Sequence, residues 1–258
     1  MRKRIQAIAA NTFREAVRDR VLYNLVFFAL LLVATTPLFG KISIGLERII
    51  LINLGLSCIT WFGTVIAIFI GTGLVSKEIE KKTLYTTLSR PVRRWEFILG
   101  KYLGLCATLI VNAAFMTLGF YAALFYVEGK FTAHDAQLLV VIAMVLLQFL
   151  MITAISLLFS SFSTPLFSAL FSFAVFAIGT FVDDLRGFAQ ILEGWSRNLA
   201  LGFSYLVPNF GLLNAVPQAA HDVPVAPADF LQAAVYALLY SAVALGAAIA
   251  IFEKRDFK

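Results

Sequence analysis

"SKEIEKKTLYTTLSRPVRRWEFILGK", residues Ser76 to Lys101, carries ten of the 36 charged side chains of a 258-residue chain that is 60% hydrophobic. It lies between two long apolar runs, Ile49 to Val75 and Tyr102 to Val127, neither of which contains Asp, Glu, Lys, Arg or His. A hydrocarbon core about 30 Å thick takes roughly 20 helical residues to cross, so each run is long enough to span a membrane. The charged stretch then reads as an excursion into water between two membrane helices, and the rest of the fold follows from that reading.

Four more runs of the same kind lie at Val21 to Phe39, Leu138 to Phe159, Pro165 to Val182 and Phe230 to Phe252. Only 14% of the chain is charged, against about a quarter in soluble domains. The expectation is an all-α polytopic membrane protein, a single transmembrane domain over 1–258 with six transmembrane helices. Little chain remains for a soluble catalytic domain. The first run is too long for the apolar part of a signal peptide and is followed by no small-residue cleavage site, so it is expected to stay as a helix.

Basic residues set the orientation, because segments on the inner side of a membrane collect Lys and Arg. With the N-terminus inside, 16 of the 21 basic residues fall on inner segments, leaving Lys41, Arg48, Lys130, Arg186 and Arg197 outside with isolated acids such as Asp135, Asp183, Asp184, Asp222 and Asp229. Both termini and residues 76–101 are therefore expected in the cytoplasm. The net charge of +6 is accounted for by this asymmetry and by anionic membrane lipid, with no nucleic-acid partner.

Residues 1–20 differ from the spans. Ile5, Ile8, Ala9, Phe13, Ala16 and Val17 recur at helical spacing against Arg2, Asn11, Arg14, Glu15 and Arg18, the pattern of an amphipathic helix lying in the inner interface with its basic face toward lipid headgroups. "SSFSTP" joins the fourth and fifth spans as a tight hairpin, with Pro165 suited to a first helical turn. Between Asp183 and Asp229 the spacing predicts one interfacial helix with Leu185, Phe188, Ile191, Leu192, Trp195 and Leu199 on its apolar face. It also predicts a re-entrant or interfacial piece in "FSYLVPNFGLLNAV" and an extended connector in "VPQAAHDVPVAPAD".

Several chemistries lack their residues. The spans carry no ionisable side chain to bind a coupling ion; Asn53, Asn112 and Gln148 read as interhelical hydrogen-bonding groups. His134 and His221 have no second ligand at i+3 or i+4, and Cys58 and Cys106 are isolated within spans, so metal and redox sites are not expected. "DDLRGFAQ" reads as a solvated boundary rather than an acidic metal motif. "FILGKYL" has a Gly-Lys pair but neither the upstream Gly nor the following Ser or Thr of a phosphate loop, since Trp95 and Tyr102 stand there. The chain is expected to be no enzyme and to bind no cofactor of its own.

Within the charged stretch, Glu78 and Glu80 precede Lys81 and Lys82, the order that suits the helix dipole, and Glu78 pairs with Lys82 at i,i+4. Pro91 disfavours helix at Arg90, and a second helix starts near Arg93 and Arg94. Helix, corner and helix make a rigid knob, and Leu84, Tyr85 and Leu88 give it an apolar surface that a merely solvated loop does not need.

The same stretch resembles the segment after the second span in membrane subunits of ABC-2 type ABC transporters, which ends in a Pro-Val-x-Arg corner and a Gly-Lys at the next helix. "NTFREAVRDRVLY" resembles the N-terminal segment of the branch that includes the maturation permease of nitrous-oxide reductase, a copper enzyme. The corner here reads "RPVRR", with Arg93 where many relatives have a small polar residue. The resemblance implies a homodimeric permease working with two copies of a separately encoded ATPase subunit, which would hold ATP and magnesium. It makes residues 76–101 a coupling helix seated in the ATPase, with Glu78, Glu80, Lys81, Thr83, Leu84, Tyr85, Leu88, Ser89, Arg90, Pro91 and Arg94 as its contact set. The implied activity is export. A mechanical transducer acting on an extracytoplasmic client protein, and a stand-alone channel or carrier, remain open as alternatives. Small residues in the second span, Gly55, Gly63, Gly71 and Gly73, are expected to allow close approach in the dimer, together with the first and fifth spans.

Overall fold

The structure, a computed structural model, describes residues 2–18, 46–80, 93–130, 132 and 134–254, with positions 23, 26, 27, 30, 31, 34 and 35 between the first two segments; side chains at 2, 74–80 and 254 lie outside the description. The described residues form helices and connecting turns, with no strand among them. In chain order the helices are α1 (Arg2–Val17), α2 (Glu47–Glu80), α3 (Arg94–Glu128), α4 (Asp135–Ser160), α5 (Pro165–Thr180), α6 (Val182–Ala189), α7 (Trp195–Leu206), a 3-10 turn at Gly211–Leu213, α8 (Val216–Ala220) and α9 (Pro227–Lys254).

Four of them, α2, α3, α4 and α9, are long and apolar enough to cross a membrane, and six crossings result if each of two bent pairs is one span. The first of these pairs is α5 with α6, bent by 51°, and the second is α7 with the Gly211–Ala220 segment, bent by 48°. The expected second, third, fourth and last spans fall inside α2, α3, α4 and α9. The expected first span lies mostly outside the described residues. Its described positions are helical, and Leu30 lies so close to Gly119 of α3 that a Cβ there would meet it at 2.4 Å.

α4 is the most enclosed of the long helices and the most apolar. It packs against α2, α3, α5, α8 and α9, and Met144, Val145, Phe149, Met151, Ile152 and Leu157 are buried around it. α2 and α3, at 34 and 35 residues, extend for about 50 Å at 1.5 Å per residue, well beyond a hydrocarbon core of about 30 Å. The excess of α2 lies at its C-terminal end, past the apolar run that ends at Val75. Residues 81–92 join the C-terminal end of α2 to the start of α3 at one end of the bundle. This end, which also carries α1 and the C-terminus of α9, is called basal below; the opposite end is called distal.

Two expectations, on the second-span glycines and on the segment after Asp183, need correction. α1 forms as predicted and half-buries its apolar face on protein: Thr12 and Ala16 are buried, and Ile5, Ile8, Ala9 and Thr12 lie over Gly100 and Gly104 of α3. The missing side chains at those glycines open a groove that takes the α1 backbone. The glycines of the second span are likewise used inside the chain. A Cβ at Gly55 would meet the Phe120 ring at 2.5 Å, at Gly63 the Phe149 ring at 1.9 Å and at Gly71 the Ser156 Cβ at 2.8 Å; only Gly73 of the four faces open space. Finally, the single helix expected from Leu185 to Leu199 is two. Gly194, at φ 68, lies in the break between α6 and α7, which pack on each other, and the first five residues of "VPQAAHDVPVAPAD" are the helix α8 rather than extended chain. Pro217 sits in the first turn of α8, where its missing N–H costs nothing. Pro165 holds the same position in α5, as expected.

Candidate functional site

Of the expected coupling set, Glu78 and Glu80 fall on the last turns of α2, where the backbone alone is described. Lys81, Thr83, Leu84, Tyr85, Leu88, Ser89, Arg90 and Pro91 lie outside the described residues. Arg94 is described, and it opens α3. What can be built, therefore, is the base on which the segment stands.

That base starts with a side-chain cap: the Arg93 N–H donates to Glu96 Oε2 at 3.1 Å, satisfying one of the donors a helix N-terminus leaves unpaired. Arg94 points back toward the bundle. Its Nη1 donates to the carbonyl oxygens of Phe252 at 2.9 Å and Glu253 at 2.8 Å, which belong to the last turn of α9. Cationic side chains suit that position, because carbonyls at a helix C-terminus lack intrahelical donors. Below it, the rings of Phe97 and Phe252 stack with centroids 5.9 Å apart and planes 12° from parallel. One turn further along α3, Lys101 is 1% exposed beneath α1, with Nζ 3.6 Å from Glu15 Oε2 and 5.7 Å from the centroid of Phe97. Gly100 and Gly104 flank it and seat α1. Thus the eleven residues from Arg94 to Gly104 of α3 fasten the N-terminal helix on one side and the last helix on the other.

The distal end is held by charge. Arg48, in the first turn of α2, bonds Glu128 at the end of α3, Asp135 at the start of α4 (3.0 Å) and Asp222 after α8 (3.2 Å). Asp135 also accepts the Thr132 N–H at 2.6 Å, and its side chain is 4% exposed. Asp222 sits at φ 55, a left-handed conformation that Asp tolerates better than most residues. Sequence reasoning missed this cluster, having treated Arg48 as a topology marker and the acids as isolated. The available signal was that all four lie within a few residues of a span end on one side of the membrane.

Nearby, Asp183 accepts the Asn209 side-chain amide at 2.7 Å and lies 3.4 Å from Arg186. Asn209 Oδ1 accepts the Gly211 N–H at 2.8 Å, and the Asn209 N–H donates to the Tyr236 hydroxyl at 2.8 Å. "DDLRGFAQ" thus secures the α6–α7 hairpin to α9. Beside it is a cavity of about 200 Å³ lined by Asp183, Asn214, Gln218, Asp229 and Gln232 among others. Among the described residues no group of three His, Cys, Asp or Glu side chains is placed to hold a metal ion.

At mid-depth, Gln148 on α4 donates to Thr64 Oγ1 on α2 at 3.0 Å, the interhelical role expected of it. Asn53 instead accepts locally from Ser57, at 3.4 Å, and the buried Asn112 amide nitrogen has no hydrogen-bond partner. Cys58 and Cys106 are both free thiols.

Long apolar helices bundled around α4 define a multi-pass helical membrane protein. The family model for the ABC-2 family transporter protein matches residues 6–257, and the chain belongs to that family. It is a membrane permease component of an ABC transporter, a kind of subunit that is not itself catalytic and generally works with an ABC ATPase partner. A search of curated proteins returns no match.

Proposed function

We propose that this chain is the membrane subunit of an ATP-driven exporter in a bacterial or archaeal inner membrane. It assembles as a homodimer with two copies of a separate ATPase subunit that carries ATP and magnesium. The basal end is cytoplasmic, with both termini and residues 76–101. Leu84, Tyr85 and Leu88 seat in the ATPase, with Glu78, Glu80, Lys81, Thr83, Ser89, Arg90 and Pro91 around them and Arg94 at the foot. Apolar side chains at the centre of a contact carry most of its energy, and rim charges tune orientation.

The observation that carries this reading is the charged stretch between two long apolar helices, on a base that grips both α1 and α9. Placement in the branch of the nitrous-oxide reductase maturation permease rests on "NTFREAVRDRVLY". On that placement, the energy of hydrolysis serves an extracytoplasmic client protein instead of a solute.

The test is a Leu84→Asp/Leu88→Asp double variant, co-purified with the ATPase encoded beside it. Insertion and dimerisation are expected to persist, because neither residue lies in a span, while the ATPase is lost. Retention of the ATPase at wild-type yield, with normal stimulation, would refute the docking role. Reconstituted permease and ATPase that hydrolyse ATP without moving any solute would favour the transducer over the exporter.

A further inference from the structure

The geometry points to Arg94 as a transmission residue: it carries displacement of the 81–92 segment into the last helix and contributes little to holding the ATPase. This inference rests on the coupling role proposed above and assigns one member of the expected contact set a different task.

Three observations support it. First, the Arg94 guanidinium is turned toward the bundle, where Nη1 is shared between the Phe252 and Glu253 carbonyls, 158 and 159 residues away in sequence. A side chain that donates to those two carbonyls is held at the foot of the 81–92 segment. Second, Phe97, one turn along α3, stacks on Phe252 itself, and Phe252 is fully buried. The α3–α9 joint therefore has a polar and an apolar contact on the same residue of α9, and it resists both sliding and twisting. Third, α3 is also seated against α1 through Gly100 and Gly104, where added Cβ atoms would meet Ile8 at 2.7 Å and the Ala9 carbonyl oxygen at 2.5 Å. Contact that close leaves α3 little freedom to slide past α1, so a push delivered ahead of Arg94 tends to tilt α3 about that seat. The joint then draws the C-terminus of α9 with it.

α9 is a continuous helix of 28 residues, stiff enough to deliver that movement to its other end. There, Asp229 and Gln232 line the distal cavity. A displacement at Phe252 is thus read out where α9 meets the α6–α7 hairpin, at the opposite end of the molecule.

The experiment uses the full chain assembled with its ATPase in lipid nanodiscs, in a Cys58→Ala/Cys106→Ala background with Gln232→Cys as reporter. Wild type, Arg94→Gln and Arg94→Lys are compared for ATPase retained per permease and for the change in maleimide labelling of position 232 on vanadate trapping with ATP. Arg94→Gln is expected to retain the ATPase within about twofold of wild type while its nucleotide-dependent labelling change falls about fivefold or more. Arg94→Lys, which keeps the charge and can reach one carbonyl, is expected to recover part of the change. Phe97→Leu, which removes the stack and leaves Arg94 in place, is expected to show a smaller loss in the same direction, and it serves as the test should Arg94→Gln fail to fold. Loss of the ATPase from Arg94→Gln, matching the Leu84/Leu88 double variant, would make Arg94 a docking residue and overturn the inference. An undiminished labelling change would reduce it to a helix cap. If the wild-type chain itself captured no ATPase, the coupling role would fall, and this inference with it.

Discussion

The two ends of the bundle are held by different physics. At the distal end one guanidinium gathers three carboxylates from three other segments: Arg48 with Glu128, Asp135 and Asp222. At the basal end, Arg94 meets backbone carbonyls and α1 rests on two glycines. A charge hub is strong only while every member is present, because a buried ion without its partner costs more than the pair contributes. The basal end has one such ion, Lys101 beneath α1, paired with the exposed Glu15; its caps and glycine seats strand no further charge when they shift. The distal end is accordingly built to hold the adjoining ends of α2, α3 and α4, with Asp222, as one block against which α9 moves. The basal end is built from contacts that can tilt. On the coupling role proposed above, a subunit worked from its basal end needs that asymmetry.

The comparison breaks most visibly at Arg48. Arg48→Ala strands Glu128 and Asp135, whose side chains are 15% and 4% exposed, and is expected to cost about 3 kcal/mol, the lower part of the range for breaking a buried pair, because Arg48 is itself partly exposed. Thermal unfolding in detergent is the measurement. Arg48→Lys should recover only part of the loss, since an ammonium cannot match the fork that spreads one guanidinium over three acids. A loss below about 1 kcal/mol, the size of a surface ion pair, would mean that charge does not hold the distal end.

Next in size is the α1 seat. Gly104→Val puts a Cβ 2.5 Å from the Ala9 carbonyl oxygen and 2.6 Å from the Thr12 Cβ. Backbone cannot give way as a flexible side chain can, so α1 should lift at a cost of about 2 kcal/mol. Faster thiol labelling of a Thr12→Cys reporter, buried in the parent, would record it. Gly73→Ala is the control, with nothing within 4 Å of its Cβ, and should be neutral or stabilise the helix by up to about 1 kcal/mol. Equal behaviour of the two glycines would remove the seat from the account of the basal end.

The long helices were legible because one-dimensional apolarity suffices to locate them. The runs around Leu138 to Phe159 and Phe230 to Phe252 needed no knowledge of neighbours. The bend after Thr180 and the break near Gly194 were not, since the period of apolar residues passes through Gln190 to Gly194 without interruption and only the packing of α6 on α7 marks the turn. The use of Gly55, Gly63 and Gly71 was misassigned for a related reason. A small residue announces a close approach but not the partner, and here Phe120, Phe149 and Ser156 of the same chain fill the space. Arg94 drew attention as part of a basic run, yet its acceptors are carbonyls at the far end of the sequence, which no local pattern encodes. Gln148 was read correctly because a lone amide in an apolar helix has few alternatives to bonding a neighbouring helix.

That amide supplies the finest test of the comparison, since it lies between the two ends. Gln148 Nε2 donates to Thr64 Oγ1, and Thr64 in turn donates to its own Thr60 carbonyl at 2.7 Å. Replacing Gln148 with Leu removes a buried donor together with its solvation requirement and leaves Thr64 satisfied within its helix. The expected loss is therefore small, about 0.6 kcal/mol, the average for interhelical hydrogen bonds in a membrane. A double-mutant cycle with Thr64→Val, read by unfolding in mixed detergent, isolates the pair. A coupling energy near that value would make α2 and α4 a packed pair, joined mainly by contacts such as Gly63 against Phe149, and able to shift at the basal end while Arg48 holds the distal one. A coupling above about 2 kcal/mol would instead weld the two helices at mid-depth, and a basal tilt would then have to carry α2 and α4 together.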